Sequence, residues 1–213
     1  NFSPEEKAEL NHYLGVRLAL RFYDDAPELV AKIDPDFQDV EITEWRIRLA
    51  LSQQDWVQVQ HLIGKLPEEE QLTSRWRYWM AVAGQNLTGQ PQDFLFAEIA
   101  VDRSYYGFLA SEQLGQPFSL NYEPASFSAS LQQNLLLLPS VRRMYELVQL
   151  EEFSYARQEW NLLFPTLSDE QKYALSHLAG RWQWHSQAIA GAAQIRKWND
   201  LQLRFPLEYA ELY

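Results

Sequence analysis

Apolar residues recur three or four positions apart along most of this chain, a spacing that predicts a succession of short amphipathic helices. The first helix is predicted from Ser3 to about Phe22, because Ser3-Pro4-Glu5-Glu6 combines a capping box with proline at the first helical position. Ser168-Asp169-Glu170-Gln171 is a second capping box and marks another predicted helix start. Since no segment reads convincingly as a strand, the pattern indicates an all-α protein.

Prolines and polar turns set the limits of the other predicted helices. These helices cover residues 27–33, 40–53, 55–65, 67–85, 91–100, 103–115, 131–138, 139–150, 152–164, 168–179 and 184–203. Residues 115–128, which include Pro117, Asn121 and Pro124, form the longest irregular stretch. That stretch is the best candidate for a boundary between compact units.

Two segments share a faint internal repeat, in which an acidic residue and an aromatic residue precede apolar positions on one helix face. The segments begin at Asp55-Trp56 and at Glu152-Phe153, and each follows a leucine-rich helix end. A degenerate array of helix–turn–helix units has this character. The sequence therefore predicts an α-solenoid, a superhelical array of short antiparallel helix pairs similar to tetratricopeptide repeats.

Charge and cysteine content exclude several classes of function. The formal net charge of −11 argues against binding to duplex nucleic acid and against electrostatic attachment to an anionic membrane. The absence of cysteine excludes disulfides, zinc–thiolate sites and thiol nucleophiles, and it fits an oxidising compartment such as the periplasm. The leucine run 135–138 is far too short for a membrane span. Because Asn1 is not followed by a secretory signal, we expect either that a signal was removed or that this is an internal fragment.

The sequence contains no recognisable catalytic or metal-binding motif. No two of the four histidines lie three to five residues apart, so we expect no metal site. A Gly-x-Ser-x-Gly elbow and a glycine-rich phosphate loop are both missing, and no cofactor is expected. Trp76, Tyr78 and Trp79 could stack on sugar rings, but their helical spacing favours packing in a core.

Gly107 lies within a predicted helix, where glycine costs about 1 kcal/mol relative to alanine. A helix that accepts this cost usually meets another backbone closely at that point. We therefore interpret Tyr105, Tyr106, Gly107 and Phe108 as a packing motif. In this interpretation Gly107 lets a partner helix approach while the three rings fill the surrounding space.

Several segments, in order along the chain, resemble the soluble lytic murein transglycosylase family. They are Leu66-Pro67 with Arg75-Trp76-Arg77-Tyr78-Trp79, Tyr105-Tyr106-Gly107-Phe108-Leu109-Ala110, Arg142-Arg143-Met144-Tyr145-Glu146-Leu147, Ala156-Arg157-Gln158-Glu159-Trp160 and Arg204-Phe205-Pro206-Leu207-Glu208-Tyr209. Ile42 to Leu51, followed by Trp56, is also similar to the arginine- and leucine-rich repeat of that family. The resemblance covers about residues 40–213.

The resemblance implies that residues 1–66 end an α-superhelical (U-type) domain and that residues 67–213 form a linker (L-type) domain. In this family the catalytic glutamate is followed by serine, with a Gly-Leu-Met-Gln segment further on, and neither sequence occurs here. The resemblance therefore implies a non-catalytic part of a parent enzyme whose catalytic domain is absent from the chain. Such enzymes cleave the β-1,4 bond between N-acetylmuramic acid and N-acetylglucosamine of peptidoglycan, form 1,6-anhydromuropeptides, and use neither metal nor cofactor.

The family further implies a periplasmic location in a Gram-negative bacterium, with the enzyme's own catalytic domain and peptidoglycan strands as partners. The residues nearest in sequence to the missing domain form a candidate docking face for it: Arg181, Trp182, Trp184, His185, Arg204 and Tyr209. The alternative is a free-standing helical-repeat adaptor that binds a peptide or protein in its concave face. The acidic charge and the faint repeat allow that second interpretation.

Overall fold

The computed structural model describes residues 3–207, and every regular element in this range is helical. Fourteen α-helices and one 3-10 turn, Phe164–Thr166, follow one another along these residues. The α-helices are α1 Pro4–Ala19, α2 Ala26–Ile33, α3 Val40–Ser52, α4 Trp56–Ile63, α5 Glu68–Gln71, α6 Ser74–Thr88, α7 Asp93–Ala100, α8 Tyr105–Gln113, α9 Ala129–Leu137, α10 Pro139–Gln149, α11 Phe153–Leu163, α12 Asp169–Arg181, α13 His185–Gln194 and α14 Leu201–Arg204. Among the described residues, no helix combines the length and apolar character needed to cross a bilayer.

The chain divides into two compact units, Asn1–Leu120 and Asn121–Tyr213. This division falls inside the irregular stretch 115–128, where the sequence places its best boundary. The family-based division between residues 66 and 67 lies within the first unit, where Leu66 and Trp76 share one core. As a boundary between family domains it stays a prediction.

Both capping boxes predicted from the sequence are present. The Ser3 hydroxyl accepts a hydrogen bond from the Glu6 amide at 3.2 Å, and the Glu6 carboxylate accepts one from the Ser3 amide at 2.7 Å. Ser168 and Gln171 form the same reciprocal pair, with distances of 3.3 and 2.9 Å. These bonds satisfy amides that a helix start otherwise leaves without partners.

The predicted helix over residues 67–85 is wrong, because the structure divides it into α5 and α6. Thr73 has an extended backbone with ψ of 148°, and its hydroxyl donates to the Glu70 carbonyl at 2.7 Å. This local bond competes with a continuous helix. Helix α6 then continues to Thr88, beyond the predicted helix end at residue 85, and Gly89 follows it with a φ of 68°.

The predicted helix over residues 184–203 is also wrong. It is divided into α13 and α14 by a turn in which Arg196 has a φ of 57°. The Lys197 amide bonds back to the Ala192 carbonyl at 3.0 Å, which closes the end of α13. The backbone then leaves the helical path, and Asp200 caps the start of α14.

A three-residue turn recurs at the points where consecutive helices reverse. Its middle residue has a left-handed backbone in Gln54, Glu151 and Gln183, with φ of 56°, 59° and 62°. In each turn the amide of the following residue donates to the carbonyl five residues earlier, at 2.8 to 3.0 Å. The donor and acceptor pairs are Asp55 and Ala50, Glu152 and Leu147, and Trp184 and Ala179. The first two turns are the two sites of the predicted repeat, and the third was not recognised from sequence.

These turns fold the helices back into packed pairs: α3 with α4, α10 with α11, and α12 with α13. In the first unit three apolar clusters follow one another along the chain, with Ile42, Trp76 and Phe96 among their buried side chains. Successive local cores of this kind are the arrangement of a helical-repeat protein. The described residues of the second unit form a single cluster, in which Trp160 is 1% exposed.

Gly107 meets backbone closely, but in the first turn of α8 rather than in a helix interior. The Ser104 hydroxyl accepts from the Gly107 amide at 3.1 Å. A Cβ atom on Gly107 would overlap the Asp102 carbonyl and would stand 3.2 Å from the Ile99 carbonyl oxygen. The close approach therefore comes chiefly from the loop that joins α7 to α8.

The three aromatic residues of the predicted packing motif behave differently from one another. The half-buried Tyr106 ring lies 5.6 Å from the ring of buried Tyr78, and Phe108 packs against Phe118 at 5.1 Å. Tyr105 is 68% exposed, so the expectation that it fills space around Gly107 is wrong. It is the first residue of α8, and its ring meets the Tyr106 ring edge-on at 5.2 Å at the margin of the α6–α7–α8 core.

Replacement of Gly107 by alanine should lower the free energy of unfolding by about 2–3 kcal/mol or more, because the Asp102 carbonyl would have to move. That carbonyl also accepts from the Ser104 amide at 2.9 Å, so the loop would lose a bond as well. Urea unfolding followed by circular dichroism measures the effect.

Gly84→Ala is the matched control, since a Cβ there would stand 3.5 Å from its nearest neighbour, a side-chain atom of Gln92. Gly84 lies within α6, and alanine should stabilise the helix by about 0.5–1 kcal/mol. Equal effects of the two substitutions would contradict the assignment of Gly107 as a point of close approach.

Candidate functional site

Trp184 belongs to the core and not to a docking face. It is 3% exposed, and its ring meets that of Trp160 edge-on at 5.8 Å. The turn at Gln183 directs the chain inward at this point. The prediction that Trp184 contributes to a docking face is therefore wrong, while Trp182 is half-buried with its ring 5.5 Å from Tyr145.

Two of the other predicted docking residues lie together. Arg181 and His185 line a shallow groove of about 170 Å³ beside Gln202 and Leu203. Arg181 donates to the side-chain oxygen of Gln132 at 2.7 Å, which orders its guanidinium at the surface.

The remaining two docking candidates are not part of this groove. The Arg204 guanidinium lies over the Trp198 ring at 4.9 Å and donates to the Trp198 carbonyl at 2.7 Å. Tyr209 lies outside the described residues.

The polar centre of the second unit is a buried carboxylate that sequence reasoning missed. Asp200 is 2% exposed, and its Oδ2 atom accepts from the Tyr173 hydroxyl at 2.7 Å and lies 2.6 Å from Nε2 of His177. Its Oδ1 atom accepts from the Leu203 amide at 3.0 Å. We refer to Asp200, Tyr173 and His177 as the Asp200 node.

Local sequence explains where each residue of the Asp200 node lies on its helix, but not that the three residues meet. Tyr173 and His177 are four residues apart on α12 and therefore share one face. Asp200 is the N-cap of α14, a role that aspartate often takes. The sequence pattern did not identify Asp200 as a helix N-cap because it predicts a single helix over residues 184–203, with no helix start at Asp200.

The protonation states make the Asp200 node a structural clamp. Burial lowers the pKa of His177, against the opposing effect of Asp200, so the imidazole is neutral and donates Nε2–H. Burial, followed by the hydrogen bond to Asp200, raises the pKa of the Tyr173 hydroxyl, which stays protonated. Two neutral donors and a backbone amide thus satisfy one carboxylate and join α12 to α14.

A second carboxylate cluster plays a similar part in the first unit. Asp34 is 7% exposed and accepts from the amides of Gln38 and Asp39 at 2.9 and 3.1 Å. The Asp39 carboxylate caps α3 and lies 2.6 Å from Nδ1 of His12, a hydrogen bond that raises the pKa of this imidazole. Within the described range, no group of three or more potential ligands could hold a metal ion.

The aromatic cluster on α6 is core rather than ligand surface. Trp76 is 1% exposed, Tyr78 is 6% exposed, and Trp79 packs against both neighbouring apolar clusters. This confirms the preference for packing over sugar stacking at these positions.

Residues 135–201 match the family model described as the soluble lytic murein transglycosylase L domain. These residues belong to the soluble lytic murein transglycosylase family. The matched residues run from the end of α9 through α13 to the start of α14, include the Asp200 node, and lie entirely within the second unit.

Relatives and solved structures extend the family similarity over most of the chain. The soluble lytic murein transglycosylase of Salmonella typhimurium is 27% identical over 180 residues, which are 83% of this chain and 27% of that protein. The structure of an inactive mutant of the lytic transglycosylase Slt from Pseudomonas aeruginosa has 34% identity and a TM-score of 0.78, over 99% of this chain and 35% of that one. The chain thus spans about a quarter of the length of its curated relatives.

The 70-kDa soluble lytic transglycosylase of Escherichia coli shares the fold at 23% identity, with a TM-score of 0.78 over 99% of this chain. These similarities confirm the family and the all-α, superhelical fold class inferred from the sequence. The assignment of residues 1–66 and 67–213 to separate family domains stays a prediction, as does the docking face.

The Asp200 node should make stability depend on pH. Because the folded chain holds the pKa of His177 below its unfolded value of 6.5, the unfolded chain takes up the proton more readily. The free energy of unfolding should therefore decrease as the pH falls below about 6.5 toward the folded pKa. Urea unfolding between about pH 5 and 8 measures this slope.

His177→Gln should abolish that contribution and flatten the slope. His12→Gln is the control of opposite sign, since a raised folded pKa gives stability that is present at low pH and lost as the pH rises through it. If the His177 variant retained the slope of the parent chain, the buried neutral state of His177 would be wrong.

Proposed function

We propose that this chain is a non-catalytic scaffold and linker region of a periplasmic lytic transglycosylase from a Gram-negative bacterium. The parent enzyme would cleave the β-1,4 bond between N-acetylmuramic acid and N-acetylglucosamine in peptidoglycan and release 1,6-anhydromuropeptides. The observation that carries this proposal is the L-domain match over residues 135–201.

The chemistry of the carboxylates supports a scaffolding role. Cleavage of a glycosidic bond requires a carboxylic acid with a raised pKa in a sugar-binding cleft. In the second unit, Arg143 instead holds the pKa of Glu159 below its usual range through two contacts of 2.8 Å. Asp200 is fully engaged by its three donors, and the chain contains no Glu-Ser dipeptide.

The architecture of the second unit suits a rigid support. The Asp200 node ties α14 to α12, and Leu203 of α14 is 6% exposed in the core. A segment fixed in this way leaves the unit in one direction, and we propose that it carries the enzyme's catalytic domain. Arg181 and His185, which share the groove beside α14, are the members of the proposed docking face that lie together, and peptidoglycan strands would be partners of the whole enzyme.

The isolated chain should release no anhydromuropeptides from purified murein sacculi, whereas the same chain extended past Tyr213 by the natural gene should release them. Liquid chromatography with mass spectrometry detects these products. Activity of the isolated chain would contradict the scaffold role, and inactivity of the extended protein would favour the free-standing adaptor.

Charge reversal at the docking face should weaken the parent enzyme without unfolding it. Arg181→Glu should lower kcat/KM on sacculi by about two- to fivefold, the size of effect expected for an exposed ionic contact. Arg157→Glu, at an exposed position on α11, is the control. Equal activity of both variants, at unchanged Tm, would remove Arg181 from the docking face.

A further inference from the structure

An elongated cleft lies in the second unit between the strap, defined as residues 121–128, and the turn at residues 195–200. It consists of two adjoining cavities of about 310 and 350 Å³. Both cavities are lined by Ser126, Tyr173 and Lys197, so they adjoin one another on the face of α12. The docking groove of Arg181 and His185 is a separate cavity.

The walls of this cleft are held in place by specific contacts. The Glu123 amide donates to the Asn199 carbonyl at 2.9 Å, and the Asn199 side chain donates back to the Glu123 carboxylate at 3.0 Å. Phe127 packs its ring 5.5 Å from Tyr173 and 5.1 Å from His177. The strap, although irregular, is therefore anchored at both of its ends to the Asp200 node and its turn.

The two ends of the cleft carry opposite charge. Arg196 lines one end, and Asp169 and Glu170 line the other. Lys197 lies between them, with its ammonium 5.0 Å from the centre of the Tyr173 ring. Asp169 also lies 3.4 Å from Lys172, in an exposed contact that water screens strongly.

The polar groups of Tyr173, Asp200 and Glu123 on the floor of the cleft are already hydrogen-bonded within the protein. The Tyr173 hydroxyl and Asp200 bond to each other, and the Glu123 carboxylate is engaged by Asn199. Ile195 adds apolar surface at the acidic end. A ligand would therefore find a charged group at each end and an aromatic and aliphatic surface between them.

We propose that this cleft binds an elongated zwitterion, a molecule with a carboxylate at one end and a primary ammonium at the other. The carboxylate would pair with Arg196 and Lys197, and the ammonium with Asp169 and Glu170. The aliphatic stem would lie along Tyr173. An ω-amino acid or a short peptide with a free amine and a free carboxylate has this chemistry. This site is independent of the scaffold role.

Ligands with one kind of charge fit less well. A dianion would pair with Arg196 and Lys197 at one end but would place its second carboxylate against Asp169 and Glu170 at the other. A diamine would pair one ammonium with Asp169 and Glu170, but its other ammonium would be repelled by Arg196 and Lys197. The distribution of charge thus selects for opposite charges at the two ends of one molecule.

The probe for this site is 6-aminohexanoate, with hexanoate and hexylamine as analogues that each lack one charged end. Titration followed by 15N NMR should give saturable shifts of the Lys197 amide and the Trp198 indole with a millimolar Kd. We expect each one-ended analogue to bind at least about fivefold more weakly. Equal binding of the three molecules, or no saturable shift up to about 100 mM, would overturn the proposal.

Variants locate the two ends of the ligand. Arg196→Gln and Glu170→Gln should each weaken binding of 6-aminohexanoate about fivefold or more, while Arg157→Gln on α11 should leave it unchanged. The NMR spectrum of each variant shows whether its fold is retained. Unchanged binding in both folded cleft variants would place the ligand elsewhere and refute this site.

Discussion

The ends of many short helices set the main physical constraint on this fold. Each helix leaves four amides and four carbonyls without intrahelical partners, and a chain of fourteen described helices must satisfy them repeatedly in very little loop. At the turns around Gln54, Glu151 and Gln183, one residue adopts a left-handed backbone, and the amide of the next residue donates to the carbonyl five residues earlier. Each turn thereby satisfies one of the unpaired carbonyls at the end of the preceding helix. Because the turn is so short, the next helix must pack against the previous one, and helix pairs result.

Local turns alone do not fix the position of more distant elements, and buried carboxylates supply that second level of order. Asp34 gathers two loop amides before α3, and Asp200 joins α14 to a face of α12 that is 27 residues away in sequence. An unpaired carboxylate in such a place would cost several kcal/mol, so each one restricts the arrangements the chain can adopt.

This division between local and distant interactions explains what could be predicted from the sequence. The capping boxes at Ser3 and Ser168 depend on residues three apart, and both were predicted correctly. The break at Arg196 was missed because a left-handed turn is expected at glycine, and no glycine stands there. The Asp200 node depends on a contact across α13, which periodicity cannot show. Trp184 was misplaced because its burial follows from the unrecognised turn at Gln183.

Residues whose polar groups hold the fold together can be distinguished from residues that are available to bind a ligand. In the second unit Asp200, Tyr173 and His177 bond to one another and to the start of α14, whereas the indole N–H of Trp160 is buried without a hydrogen-bond partner among the described residues. The cleft beneath the strap differs, because the side chains of Arg196 and Glu170 line a space with fixed walls and supply no capping hydrogen bond, although Glu170 lies in the first turn of α12, where a carboxylate favours the helix dipole. A helical unit can thus still offer a ligand site where charged side chains line a cavity without serving as helix caps.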